Sequence, residues 1–211
     1  GISADEKYYF INSSDHNTSE KYYFKSNEIL PKPKIVRKRE KGIIYSVSSW
    51  GGYFYIHTNK GAEDFKIERS KDIEASEWGV FIPAKNETMI GGLTFLKDWI
   101  VRSELNNALD KIFVRDIKSN KEEELIFTDE EVYDASISHT QRDRNTDHIY
   151  ISYSTPKTQA RTYLYNLKTK EKKLVKEQII PSGHDPKNYI VQRVECNSDD
   201  GRKVPLTITR H

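Results

Sequence analysis

Apolar positions along the chain recur at intervals of 45 to 50 residues. Runs rich in aromatic and β-branched residues occur at Tyr8–Ile11, Tyr53–Ile56, Trp99–Val101 and Ile149–Ile151. The steps from Tyr9 to Phe54, to Ile100 and to Tyr150 are 45, 46 and 50 residues, and the longer last step coincides with a polar insert at Gln141–Thr146. Repeats of about 40–50 residues with several strands each are typical of propeller blades.

Each repeat divides into four short strands, of which the apolar run is the second. Segments with small side chains, suited to an innermost strand, precede the run at Ile44–Ser48, Gly91–Phe95 and Ala135–Ser138. Third strands are predicted at Phe65–Ile67, Lys111–Val114 and Arg161–Tyr165, and fourth strands at Val80–Ile82, Glu123–Ile126 and Lys172–Lys176. Charges on the last strand block pairing with other chains.

The sequence therefore predicts an all-β fold, a partial β-propeller of four-stranded antiparallel blades. Three complete blades are expected at about 42–83, 89–127 and 132–177, and residues 7–39 supply three strands of a preceding blade without a clear inner strand. A closed ring of four blades is the alternative to an open arc. An arc exposes apolar blade faces at its ends, which predicts self-association. The best helical candidate is a turn around Ser70–Trp78, between a third and a fourth strand.

Charge and composition narrow the function further. Lys and Arg number 34 against 32 Asp and Glu, so no concentrated basic footprint indicates a nucleic-acid binder. Apolar stretches all fall short of the roughly 20 residues that a membrane helix needs. Cys196 is the single cysteine, which excludes an internal disulfide and fits a cytoplasmic protein.

Six segments form an ordered set along the chain: Thr18–Glu20, Asn59–Ile67, Trp78–Pro83, Leu93–Phe95, Gly183–Tyr189 with Arg193, and Asp199–Pro205. Together they resemble the oligopeptidase B group of the prolyl oligopeptidase family of serine peptidases. In that family the last two lie at the passage from propeller to hydrolase domain. The resemblance covers nearly the whole chain, and the order and spacing of its motifs carry it.

The resemblance implies a seven-bladed parent propeller that caps a Ser-Asp-His hydrolase cleaving short peptides after Arg or Lys. It assigns residues 1–178 to propeller blades and residues 179–211 to a linker and first hairpin leading into a missing α/β-hydrolase domain. No Gly-x-Ser-x-Gly nucleophile motif occurs before the chain ends at His211. We therefore assign no catalytic residue, cofactor-binding residue or metal ligand, and we expect this chain alone to be inactive.

Charged and titratable side chains offer few other candidates. The six histidines are dispersed without metal-ligand spacing, at His16, His57, His139, His148, His184 and His211. His184 and Asp185 lie in the family-like linker, which favours a role in positioning a domain. The basic run Pro31–Lys41 is interpreted as a solvated edge containing a short strand at Ile35–Val36, rather than a nucleic-acid patch.

Acidic clusters at Lys121–Glu124 and Asp129–Glu131 are interpreted mainly as exposed blade edges. The less favoured alternative is that they face a basic substrate in the propeller channel. Trp50, Trp78 and Trp99 are expected in blade packing.

Two functions remain open. The first is the non-catalytic propeller of an oligopeptidase, which filters short basic peptides by size and works with an α/β-hydrolase domain in the same or a separate chain. The second is a stand-alone or split-gene propeller remnant that serves as a protein-binding scaffold. Neither requires a cofactor, nucleic acid or a membrane.

Overall fold

The computed structural model describes residues 1–138 and 143–211. His139, and Gln141 and Arg142 of the polar insert at Gln141–Thr146, lie outside the described residues. The strands are β1 Tyr8–Ser14, β2 Ser19–Lys25, β3 Lys34–Arg37, β4 Tyr45–Trp50, β5 Tyr53–Thr58, β6 Lys66–Ser70, β7 Gly79–Ile82, β8 Thr88–Phe95, β9 Trp99–Asn106, β10 Leu109–Asp116, β11 Glu122–Glu124, β12 Asp134–Ser138, β13 His148–Thr155, β14 Thr158–Asn166, β15 Lys172–Glu177, β16 Ile190–Asn197 and β17 Lys203–Arg210. A single 3-10 turn, Pro186–Asn188, is the only helical element in the described part of the chain.

The strands form blades in chain order, as the repeat predicts. Blade 1 is β1–β2–β3, blade 2 is β4–β7, blade 3 is β8–β11 and blade 4 is β12–β15, each an antiparallel meander of sequential strands. The three complete blades coincide with the predicted spans 42–83, 89–127 and 132–177. Strands β16 and β17 form a separate two-stranded hairpin.

Blade 1 has the beginning of an inner strand that the sequence did not predict. Ile2 forms an antiparallel bridge with Tyr9, on the free edge of β1. The Phe10 amide donates to the Gly1 carbonyl and the Ser3 amide to the Tyr8 carbonyl, each at 2.8 Å. Residues 1–3 thus lie along the free edge of β1 as an isolated bridge, and blade 1 has the three strands that the sequence predicted, without a full inner strand.

The chain divides into two compact units, residues 1–92 and 93–211, with the division inside β8. In the first unit, blades 1 and 2 bury a largely aromatic core, whose buried members are Tyr23, Tyr45, Phe54, Ile56, Ile73 and Trp78. Tyr8 and Phe54 meet edge to face, with their ring centroids 4.9 Å apart. Aromatic pairs of this geometry add about 0.5–1.5 kcal/mol beyond their area burial, so the Tyr-rich runs of the sequence produce this core.

The second unit has its own core between blades 3 and 4. It is built from the alternate residues of β9, β10, β13 and β14 that face the neighbouring blade, together with the segment after β11; its members include Val101, Ile112, Val114, Phe127, Ile149, Ile151, Tyr153 and Tyr165. Trp99 packs against this core, and its indole N–H donates to Asp147 at 2.8 Å. Trp78 is buried in the core of the first unit, so Trp78 and Trp99 lie in blade packing, as expected.

Blade 3 contains an ion-pair network around the buried Arg102 and Glu104, with Glu122 and Arg115 partly exposed at its edge. Arg102 donates from its two terminal nitrogens to both carboxylate oxygens of Glu122, at 2.7 and 2.9 Å, and from Nε to Glu104 at 2.8 Å. Arg115 also pairs with Glu122, at 2.9 Å. Burial alone would raise the pKa of Glu122, but the hydrogen bonds and charges of the two arginines outweigh it and lower that pKa. The network is neutral and hydrogen-bonded, the condition under which buried charges are tolerated.

The loop between β6 and β7 contains the helical candidate around Ser70–Trp78. The structure has turns there and no helix. The Glu74 amide donates to the Asp72 carboxylate and the Ala75 amide to the Asp72 carbonyl, and the Trp78 indole donates to the Ala75 carbonyl at 3.2 Å. The segment is therefore the connecting loop that the sequence indicated. Within the described ranges no helix has the length and apolar character that crossing a bilayer requires.

Candidate functional site

The C-terminal segment after blade 4 is the most distinctive feature of the second unit. The last hydrogen bond of the blade sheet joins the Gln178 amide to the Ala160 carbonyl at 2.9 Å. A five-residue connection without regular structure follows, and it ends at Gly183, whose φ of +82° is readily adopted only by glycine. Asp185 then caps the 3-10 turn by accepting from the Lys187 amide at 3.0 Å. The chain continues directly into the β16–β17 hairpin.

The register of the hairpin separates its side chains into two faces. Directly opposite residues share a face of an antiparallel pair, and the faces alternate along each strand. One face, here called the apolar face, is formed by the pairs Ile190–Arg210, Gln192–Ile208, Val194–Leu206 and Cys196–Val204. The other, the polar face, is formed by Val191–Thr209, Arg193–Thr207, Glu195–Pro205 and Asn197–Lys203.

The apolar face is open to solvent. The exposed fractions are 52% for Ile190, 37% for Val194, 39% for Val204, 45% for Leu206 and 45% for Ile208, and the Cys196 thiol on the same face is also exposed. An isolated two-stranded hairpin is at best marginally stable in water. Contiguous exposed apolar surface of this kind marks an interaction site. The arrangement is therefore suited to docking another structural element onto the hairpin.

Two hydrogen bonds join this segment to the tips of blade hairpins. The Nε2 atom of His184 lies 2.8 Å from the Lys157 carbonyl, at the β13–β14 tip. Arg193 donates to the Asn107 carbonyl, at the β9–β10 tip. Because Arg193 belongs to the polar face, that face is directed toward the blade tip and the apolar face away from it. The predicted positioning role of His184 therefore has a contact that supports it.

Three other histidines, His16, His57 and His148, have different surroundings and do not contact one another. His16 is exposed in the β1–β2 turn. The Nε2 atom of His57 lies 2.6 Å from the Ile90 carbonyl, and burial lowers the pKa of this imidazole, more than that hydrogen bond raises it. His148 lies near the side chains of Thr146 and Asn166, at 3.4 and 3.1 Å. Over residues 1–138 and 143–211, no three His, Cys, Asp or Glu side chains are grouped to hold a metal ion.

The acidic run of β11 is engaged in ion pairs. Beyond the pairing of Glu122 with Arg102, Glu123 pairs with Lys170, and Glu124 with Lys111 at 3.3 Å. Glu130, in the second acidic cluster, pairs with Lys157 at 2.9 Å. These carboxylates neutralise the protein's own cations, which disfavours the alternative that they attract a basic substrate.

The basic run Pro31–Lys41 is likewise paired. It contains β3, and three of its cations bind carboxylates: Lys34 with Glu74 at 2.6 Å, Arg37 with Glu68 at 2.9 Å and Arg39 with Asp15 at 3.0 Å. The interpretation as a charged blade edge is consistent with these contacts.

Three comparisons with known proteins agree on the family. Residues 1–178 match the family model described as "Prolyl oligopeptidase, N-terminal beta-propeller domain". A dipeptidyl aminopeptidase BI from Pseudoxanthomonas mexicana is 29% identical over 178 residues, which are 82% of this chain and 24% of that protein. Protease 2 from Moraxella lacunata is 25% identical over 205 residues, which are 97% of this chain and 29% of that protein.

Solved structures give the same result. Oligopeptidase B from Trypanosoma brucei, in a closed form with covalently bound antipain, superposes with a TM-score of 0.88 and 26% identity, over 99% of this chain and 31% of that one. Oligopeptidase B from Leishmania major has a TM-score of 0.88 at 20% identity, which shows the shared fold. The chain thus spans between about a quarter and a third of the length of these relatives.

Proposed function

The chain belongs to the family of prolyl oligopeptidase N-terminal β-propeller domains, and from that membership we propose that it is the non-catalytic propeller part of an oligopeptidase B-like serine peptidase. Its fold is a partial β-propeller of four-stranded antiparallel blades. In the solved relatives the propeller accompanies the rest of a peptidase in one chain. We propose that residues 1–178 are blades and that residues 179–211 lead into an α/β-hydrolase domain, in the same or a separate chain.

The family match over residues 1–178 carries the propeller assignment, and the single structural observation that supports a following domain is the exposed apolar face of the β16–β17 hairpin. The hairpin begins at Ile190, after the matched residues, and its alternation of apolar and polar positions is that of a strand pair buried on one side. A strand pair of this kind needs a second layer over its apolar face, and the layers of a larger domain supply such a cover. A hairpin whose apolar face needs a cover is therefore suited to be the first element of such a domain.

The proposed mechanism of the propeller is steric. It admits short, unfolded peptides to a nucleophile between the two domains and excludes folded proteins, and the chemistry belongs to the hydrolase domain. The substrates proposed are peptides with Arg or Lys before the cleaved bond, since the match to oligopeptidase B covers nearly the whole chain. None of the catalytic residues is assigned to residues 1–211, and the cytoplasm is the proposed location.

The test uses the protein that the natural gene encodes, beside the 211-residue chain. We expect the natural product to cleave a fluorogenic peptide after Arg, to leave the matched peptide with Pro at that position intact, and to leave the same Arg site uncut inside a folded protein. The 211-residue chain should cleave neither peptide. Cleavage by that chain alone would refute the absence of catalytic residues, and cutting of the folded protein at the peptide's rate would refute size filtering.

A specific observation also keeps the scaffold alternative testable. On blade 1, the side of the sheet opposite the aromatic core exposes apolar side chains, namely Ile2, Tyr9, Ile11 and Ile35. In a longer propeller a preceding blade covers such a face, so we expect the isolated chain to self-associate and to bind an apolar dye. A self-contained scaffold would instead be monomeric in size-exclusion chromatography, would leave the dye unbound and would melt cooperatively.

A further inference from the structure

We propose that His184 and Arg193 are positioning residues that fasten the base of the β16–β17 hairpin to two blade-hairpin tips and thereby set the orientation of the domain that the hairpin carries. The identity of that domain rests on the proposed function, whereas the fastening itself does not. Both contacts lie within the second compact unit. Both acceptors are main-chain carbonyls, of Lys157 and Asn107.

The tip that accepts from Arg193 is rigid. Strand β9 ends at Asn106 and β10 begins at Leu109, so two residues make the turn. These are Asn107 and Ala108, with φ of 49° and 53°. Two-residue hairpin turns with positive φ at both positions match the twist of the flanking strands and hold the strand register. The Asn107 carbonyl is therefore held in place by the blade.

The tip that accepts from His184 is also fixed. The Lys157 amide donates to the Thr155 hydroxyl at 3.2 Å, which closes the turn between β13 and β14. The Lys157 ammonium pairs with Glu130 at 2.9 Å. A carbonyl held by its own turn and by an ion pair of the same residue presents a defined acceptor to the imidazole.

Ring contacts join His184 to both ends of the hairpin. The His184 ring lies 5.2 Å from the Tyr189 ring, and Tyr189 meets the His211 ring edge-on, also at 5.2 Å. These contacts connect the start of β16 to the residue that follows β17. The connection before His184 has no regular secondary structure, and the side chain of Ile179 within it is largely exposed to solvent. Without the two hydrogen bonds, the segment would pivot about this connection.

Orientation is the consequence that matters for function. Arg193 reaches its acceptor from the polar face, and the opposite face carries Val194, Leu206 and Ile208. Holding the polar face against the blade tip presents the apolar face outward in one orientation. A domain docked on the apolar face is held in the orientation of the hairpin. This matters for catalysis because a misplacement of about 1 Å at a reacting group lowers the rate on the order of a hundredfold.

The first measurement is an electron-spin distance in the full 211-residue chain. Spin labels are placed at Asp199→Cys in the hairpin turn and Lys168→Cys in the β14–β15 turn, both exposed, in a Cys196→Ser background. We expect a narrow distance distribution in this background and a broad one after His184→Ala with Arg193→Ala. His184→Gln with Arg193→Lys keeps both donors and should restore the narrow distribution.

The matched controls are Arg202→Ala, at the far end of the hairpin, and His16→Ala, in blade 1, and both should leave the distribution narrow. A distribution that stays narrow in the double alanine variant overturns the proposal. So does broadening that the donor-retaining variant fails to reverse, because the hydrogen bonds would then not be the cause.

The second measurement uses the natural gene product and the Arg peptide. We expect kcat/KM to fall about tenfold in the double alanine variant, in line with the loss of hydrogen bonds that include a charged donor, and to recover in the donor-retaining variant. Unchanged kcat/KM contradicts the positioning role even if the spin distances broaden. If the unmutated product cleaves nothing, the proposed function fails, while the spin distances still decide whether the fastening exists.

Discussion

Blade 4 and the C-terminal hairpin have the same alternation of apolar and polar residues but opposite burial. In β13, Ile149 and Ile151 are 2% and 0% exposed because blade 3 covers that face. In the hairpin, Leu206 and Ile208 alternate in the same way and remain 45% exposed. Alternation thus specifies that a strand has an apolar face, while burial depends on a second layer. The two regions therefore differ in the second layer, which blade 3 supplies for β13 and which the exposed face of the hairpin lacks in the described part of the chain.

The largest expected effect comes from removing a buried charge. Arg102→Met leaves Glu104 and Glu122 without their shared cation, and breaking a buried pair in this way costs about 3–5 kcal/mol of unfolding free energy. Arg202→Met is the matched change in the hairpin, where the arginine faces solvent and pairs with Asp200 at 3.4 Å; it should cost less than about 1 kcal/mol. Urea unfolding followed by circular dichroism measures both. Equal losses would contradict the difference drawn between the two regions.

The next effect compares two isoleucines. Ile151→Ala leaves a cavity in the core of the second unit and should cost about 2–5 kcal/mol. Ile208→Ala removes the same atoms from a solvent-exposed face, and its cost in this chain should stay within about 0.5 kcal/mol. The same denaturation experiment applies. In the natural gene product, where the proposed hydrolase domain would cover that face, we expect Ile208→Ala to become destabilising, and a continued absence of any effect would contradict this expectation.

The smallest effect is a pH dependence. The pKa of Glu122 is lowered in the folded protein from its ordinary value of 4.5. Its ionised form is therefore favoured by folding, so the stabilisation is complete above about pH 4.5 and is lost as the pH falls through the lower folded pKa. Unfolding free energies at about pH 7 and pH 3.5 should differ less in Glu122→Gln than in the unmutated chain.

The control for this pH dependence is Glu195→Gln in the hairpin. Glu195 pairs with Lys203 at 3.1 Å, and both side chains face solvent. We expect this change to leave the pH dependence as it is in the unmutated chain. A pH dependence unaltered by Glu122→Gln would mean that the ion-pair network of blade 3 is not its source.

Local pattern was sufficient to predict the blades. Tyr9, Phe54, Ile100 and Tyr150 mark equivalent strands of four successive blades because each sits in an apolar run of its own, and such a run needs no distant partner to be recognised. The isolated bridge at residues 1–3 had no signal in the sequence, where three residues are too few to show a period. Their strand pairing is visible only in the hydrogen bonds to β1.

Contacts between residues far apart in the chain could not be predicted from the sequence. Glu123 pairs with Lys170, 47 residues away, and Arg193 binds a carbonyl 86 residues away. The acidic run therefore appeared free in the sequence and is paired in the structure. The apolar face of the hairpin had a local signal, the alternation Val204, Leu206, Ile208, and period-two counting would have found it. The same alternation does not say what covers that face, because it specifies an apolar face and not the layer that packs on it.

The most direct test of the central claim uses Cys196, the natural thiol on the apolar face. Its rate of alkylation is followed by peptide mass spectrometry in the 211-residue chain and in the protein that the natural gene encodes. We expect rapid labelling in the chain, where the thiol is exposed, and labelling slowed by about a hundredfold or more in the natural product, where the proposed hydrolase domain would cover the face. Equal rates in the two proteins would contradict this expectation, because the hairpin face would then be open and the domain would be docked elsewhere or absent.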